Sequence, residues 1–92
     1  MKYDPGCYGD SVYGAEHITL RIFGLSMENG WLPIGDEWVL DAVIDGKTGS
    51  IPPEVIQGME DGAIDFLNEN VSEEGYLWGF ENGDFGYWEQ WE

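Results

Sequence analysis

Residues 50–92 carry eleven Asp and Glu and not one Lys or Arg. The same stretch holds the clearest helical periodicity and the clearest hairpin signal of the chain. Its carboxylates are therefore expected on ordered elements, as a fixed negative surface rather than a loose acidic tail.

The helix is predicted over residues 53–70. A residue before proline avoids the α region, so Pro52 stays outside, and Pro53 suits the first helical position. At about 100° per residue, Val55, Ile56, Met59, Ala63, Phe66 and Leu67 fall in one apolar stripe. Glu54, Asp61, Asp65 and Glu69 fall opposite it. Glu54 meets the positive end of the helix dipole, whereas Glu69 lies at the unfavourable negative end. Gly58 and Gly62 each weaken the helix by about 1 kcal/mol relative to Ala, and close packing on a sheet would explain them. Ser72, Glu73, Glu74 and Gly75 link the helix to an aromatic hairpin over residues 76–91. Asn82-Gly83 suits a two-residue loop that needs positive φ. The register then sets Glu81 against Asp84, Phe80 against Phe85, Trp78 against Tyr87 and Leu77 against Trp88.

The first half is less clearly marked. Residues 1–16, rich in Gly, Tyr and Asp, read as an irregular segment pinned by Tyr8 and Tyr13. Residues 17–25 read as a strand, with Ile18, Leu20 and Ile22 alternating with Thr19, Arg21 and Phe23, and with Gly24 marking a bulge. Asn29-Gly30 resembles a hairpin turn into an edge strand over residues 31–34. Residues 38–45 are ambiguous. As a helix, capped by Asp36 and ended by Gly46, their apolar residues would surround the axis, which suits a small domain poorly, so a strand is expected. The predicted fold is α+β: a small antiparallel sheet of four to five strands with one amphipathic helix on one face, in a single domain of 92 residues.

The formal net charge is -16, from 19 Asp and Glu against 3 Lys and Arg. With 42% apolar residues, five Trp, five Tyr and four Phe, the chain is too apolar and aromatic for a disordered tail. Self-repulsion of this size destabilises a compact state, and a cationic partner would relieve it. Direct binding to nucleic acid or to an anionic membrane is disfavoured. One cysteine, Cys7, forms no internal disulfide. No signal-peptide pattern or spanning apolar run is evident, so a cytoplasmic protein is expected.

Catalytic chemistry has little support. His17 and Cys7 stand alone, no nucleophile or phosphate-loop motif occurs, and no cofactor is implied. An EF-hand reading from Asp41 meets Asp45 and Gly46 at the right places, but Val43 and Pro52 break it. Asp41, Asp45, Glu81 and Asp84 remain only loose candidates for a divalent ion, and no metal site is assigned. Most hairpin rings are expected in the core, with Trp88 or Trp91 as exposed anchors.

Carboxylates one helical turn apart rise ~5.4 Å, and those two apart on a strand lie ~6.6 Å apart. Phosphates on one DNA strand repeat every ~3.4 Å along the axis, so rigid elements hold carboxylates at spacings comparable to phosphates. In size, charge, Trp and Tyr content, and stretches such as Glu60-Asp61, Glu73-Glu74 and Phe80-Glu81-Asn82-Gly83-Asp84, the chain resembles small acidic phage-encoded inhibitors that imitate DNA, the antirestriction and anti-CRISPR proteins. No motif matches position by position, so no functional residues carry over. The resemblance implies occlusion of a basic nucleic-acid-binding surface in a bacterial defence complex, in the host cytoplasm. The expected partner-binding residues are Glu54, Asp61, Asp65, Glu69, Glu73, Glu74, Glu81, Asp84, Trp88 and Trp91. Two other classes remain open: a phage assembly protein or salt-adapted acidic domain, and a small carbohydrate- or Ca-binding module.

Overall fold

The computed structural model describes residues 3–33 and 35–90. In chain order the elements are strand β1 (Gly6–Gly9), a turn of 3-10 helix (Ser11–Tyr13), α1 (Ala15–Glu28), α2 (Glu37–Ile44), α3 (Pro53–Asn70), β2 (Tyr76–Glu81) and β3 (Asp84–Glu89). The strands form an antiparallel sheet in the order β1-β3-β2. Antiparallel strands with separate helices make a mixed fold of the α+β kind. Among the described residues there are three strands rather than four to five, and three α-helices rather than one.

The hairpin folds as its sequence dictates. Asn82 (φ 54°) and Gly83 (φ 87°) both take the positive φ of a type I′ loop. The pairs Glu81–Asp84, Phe80–Phe85, Trp78–Tyr87 and Leu77–Trp88 form as expected. Trp78, Phe85 and Tyr87 turn inward and are buried, with the Trp78 and Tyr87 rings stacked at 4.5 Å. On the outer face the Trp88 indole lies over Gly86 and donates Nε1–H to the Gly79 carbonyl at 3.0 Å. A Cβ on Gly86 would collide with that indole and with the Gly6 carbonyl oxygen, so this position requires glycine.

Helix α3 has the predicted bounds. Met59, Ala63 and Leu67 are buried, and Pro53 occupies the first turn. Asn68 fastens the helix to the sheet edge. Its Oδ1 accepts from the Trp78 N–H at 2.7 Å and its Nδ2 donates to the Trp78 carbonyl at 3.0 Å. The side-chain amide thus pairs with β2 as a further strand would. Gly58 and Gly62 do not face the sheet. Both are exposed, with nothing within 4 Å of where a Cβ would stand.

The first half overturns several expectations. Residues 17–25 belong to helix α1, not to a strand. Ile18, Thr19, Ile22, Phe23 and Ser26 are buried at helical spacing, while Leu20 is 39% exposed. The alternation of Ile18, Leu20 and Ile22 covers too few residues to separate the two periods. Gly24 is an exposed helical residue rather than a bulge. Glu28-Asn29-Gly30 ends the helix. Gly30 (φ 102°) donates to the Met27 carbonyl and Trp31 to that of Ser26, the paired bonds of a Schellman cap.

The same exchange occurs at residues 38–45, which form most of α2. Gly46 (φ 72°) donates to Val43 and Lys47 to Ala42, a second Schellman cap. Val39 and Val43 are buried, while Trp38 (57%) and Ile44 (56%) stay exposed. The apolar girdle is thus left partly in water. Trp31, Leu32 and Pro33 form no strand, although Trp31 stacks on Phe23 at 5.6 Å; Ile34 lies outside the described residues.

The N-terminal segment is more ordered than expected. Its four-residue β1 pairs with β3 (Gly6 with Tyr87, Cys7 with Gly86, Gly9 with Phe85), with a bulge between Cys7 and Gly9. Tyr8 pins it, 5.2 Å from Trp78. Tyr13 is 72% exposed and rests against His17. One apolar core joins α1, α2, α3 and the inner sheet face. No described helix is long and apolar enough to cross a membrane.

Candidate partner-binding surface

The burial of Met59, Ala63 and Leu67 fixes the rotation of α3 and turns Glu54, Asp61, Asp65 and Glu69 to solvent. Glu54 and Glu69 are separated by ~22 Å of helical rise, and Asp61 and Asp65 by ~6 Å. Because α3 is packed on α1 and latched to β2, this row is held rather than tethered. Beside it runs a groove lined by Trp31, Leu32, Pro33, Val55, Gly58 and Gly62, with Asp36 and Glu54 also in its wall.

The other residues expected at the surface divide between the two ends of the hairpin. Glu73 and Glu74 are exposed at its base. The Glu73 N–H donates to the Tyr87 hydroxyl at 2.6 Å, which ties this link to β3. Glu81 and Asp84 lie at the tip, roughly 17 Å of strand away. Asp84 is half-buried, and its Oδ1 accepts from the Ser11 N–H at 2.7 Å. Hydrogen bonds from the Ser11 backbone and side chain hold its carboxyl below the ordinary range. The like-charge pair at the tip is thus relieved locally on one side. Trp88 is half-buried across the outer sheet face rather than projecting. Trp91 lies outside the described residues.

Carboxylates are not confined to this side. Glu37, Asp41 and Asp45 are exposed on or next to α2, and Glu16 and Glu28 on α1. Every described carboxylate except Glu60 and Asp84 is exposed. The anionic surface is therefore one ordered row on α3 set within carboxylates from the other elements. Among the described residues, no group of three or more His, Cys, Asp and Glu could hold a metal ion.

Two features escaped sequence reasoning. Trp38, exposed on α2, is followed by Asp41 on the next turn, whereas the expected anchor Trp88 lies flat. The second is a cleft of about 410 Å³ between α1, α3 and the chain entering α3, lined by Ala15, Glu16, Thr19, Val43, Thr48, Ile51, Pro53, Ile56, Gln57 and Glu60. Glu60 is half-buried there, and its Oε1 accepts from the Thr19 hydroxyl at 2.8 Å. Burial pushes its pKa up, and the Asp61 charge adds to this against the Thr19 hydrogen bond. A helical wheel places Glu60 between the apolar stripe and the acidic row, the one available hint. Of the cleft's other walls, Ala15 and Glu16 fall in the stretch expected to be irregular, and Thr19 and Val43 in stretches expected to be strands.

Comparison of the chain with protein-family models, with curated proteins and with solved structures finds no match.

Proposed function

We propose that the chain is an acidic binding protein that docks on a basic nucleic-acid-binding surface of another protein and blocks it, in the manner of a phage-encoded DNA mimic. The observation that carries the reading is the α3 row: four exposed carboxylates on one side of a helix packed against the core. Such a row meets Arg and Lys of a groove without first having to be ordered, which lowers the entropic cost of association. The surrounding charge of -16 steers a cationic surface into contact. Trp38 and Asp41, both exposed and three residues apart on α2, offer an aromatic face and an anion within one turn, a combination suited to Arg.

The test is retention of basic nucleic-acid-binding proteins from bacterial lysate on the immobilised chain, identified by mass spectrometry. Nucleic-acid displacement from the retained protein is then measured. The triple variant Asp61→Lys, Asp65→Lys, Glu81→Lys is expected to fold normally and to lose displacement at least a hundredfold. Equal displacement by the folded triple variant would reject this face. Retention of no nucleic-acid-binding protein would reject the function.

A further inference from the structure

We propose that the cleft between α1 and α3 receives one arginine side chain of the basic partner, an inference that rests on the docking reading above and names a contact within it. The cleft has the two parts such a side chain needs. Val43, Ile51, Pro53 and Ile56 form apolar wall for a methylene stem. Glu16 and Glu60 supply carboxylates for the head. Both border the cleft: Glu60 reaches in from α3 and accepts from the Thr19 hydroxyl at 2.8 Å, and Glu16 stands one turn before Thr19 on α1, its Oε1 accepting from the Thr48 hydroxyl at 3.4 Å.

Two carboxylates bordering one cleft from different helices suit a planar guanidinium, with five donors spread over its fork, better than a compact ammonium. A guanidinium is also more weakly hydrated, which fits a site with apolar walls. The one hydroxyl proton of Thr19 is shared between the Ala15 carbonyl at 3.0 Å and Glu60 at 2.8 Å, and an ionised carboxylate accepts several hydrogen bonds. Ionised Glu60 in this half-buried position is disfavoured by its surroundings, and a bound cation reverses that. The chain's own described cations do not line the cleft: Arg21 donates Nε–H to the Tyr8 carbonyl at 2.8 Å, and Lys47 is exposed outside it.

The test is methyl NMR of the intact chain titrated with butylguanidinium, butylammonium and butanol. Butylguanidinium is expected to shift the methyls of Thr19, Val43, Ile51 and Ile56 saturably, while Val12 and Leu77 stay still. Butylammonium should bind severalfold more weakly, and butanol should not saturate. Glu60→Gln keeps an oxygen for Thr19 and removes the charge; it should weaken butylguanidinium at least tenfold. Glu16→Gln, at an exposed position and with an oxygen kept for the Thr48 hydroxyl, should weaken it severalfold. Shifts spread over all carboxylate-bearing surfaces, or an unchanged affinity in both variants, would overturn the cleft. Equal binding of the two cations would overturn the assignment to arginine.

The docking reading fails separately. If a basic partner is retained and lost only in the charge-reversed α3 variant, with no guanidinium bound in the cleft, the cleft alone is wrong. A saturable guanidinium site in a chain that retains no such partner supports the cleft chemistry and removes the macromolecule.

Discussion

Glu60 and Asp84 are the two described carboxylates that are not fully exposed, and they respond to pH in opposite ways. Burial raises the native pKa of Glu60 above its unfolded value. The native state then binds the proton more tightly, so the Glu60 contribution to stability is fully present below the unfolded carboxylate pKa. It is lost as pH rises through the raised native value. Asp84 is lowered by its hydrogen bonds from Ser11, so its contribution is present above the unfolded pKa and is lost as pH falls through the native one. Glu60→Gln is therefore expected to raise the denaturation midpoint at pH 7, with the gain vanishing near pH 4. Asp84→Asn should lower the midpoint at pH 7, with the loss shrinking on acidification. Urea unfolding at a series of pH values measures both. A Glu60→Gln gain that grows on acidification would contradict the assigned cause.

At the scale of elements, α3 contains its own weakness. Gly58 and Gly62 sit in the helix interior, exposed, with open space where a Cβ would stand. Replacing each by Ala should stabilise the protein by about 1 kcal/mol, through the smaller backbone entropy lost on folding. The double variant should melt roughly 8–16 °C higher, taking ~4–8 °C per kcal/mol for a domain of this size. A lower melting temperature would mean that the 31–33 segment closes onto the glycines more tightly than the groove indicates.

α3 and the hairpin were legible because each carries a complete local signal: Pro53 with a five-turn stripe, and Asn82-Gly83 between aromatic runs. The acidic row followed, since the wheel that buries Leu67 also exposes Asp65. α1 and α2 were not legible because Asn29-Gly30 and Asp45-Gly46 are ambiguous. A glycine at positive φ closes a hairpin or caps a helix, and the Schellman bonds that decide between them depend on residues upstream. β1 escaped because its four residues become a strand only by pairing with β3 near the other end of the chain. The cleft is illegible for the same reason, since Glu16 and Thr19 share a wall only once residues 15–28 are a helix.

For the whole molecule, the charge of -16 makes salt the most discriminating variable. Raising salt from about 10 mM to 1 M shortens the Debye length from about 30 Å to about 3 Å. Repulsion among the exposed carboxylates is then screened, and thermal stability is expected to rise by several degrees. Association with a basic partner should move the other way, weakening roughly tenfold between about 50 and 200 mM salt as screening reduces the attraction between these carboxylates and the partner's cations. A salt-adapted domain would differ at the low end: it would be unfolded near 10 mM salt and would refold without any partner. The packed Trp78, Phe85 and Tyr87 rings provide the probe, through near-ultraviolet circular dichroism of the aromatic core. An assembly protein would differ again, because Leu77 and Phe80, 46% and 52% exposed on the hairpin, would become buried between copies. Its elution volume in size-exclusion chromatography would fall as salt screens the repulsion between chains. The docking protein is expected to be folded at 10 mM salt, to elute as one copy throughout the series, and to bind its partner only at the lower salt concentrations. An aromatic signal absent at 10 mM salt and restored at 1 M would move the explanation of the charge from recognition to solvation.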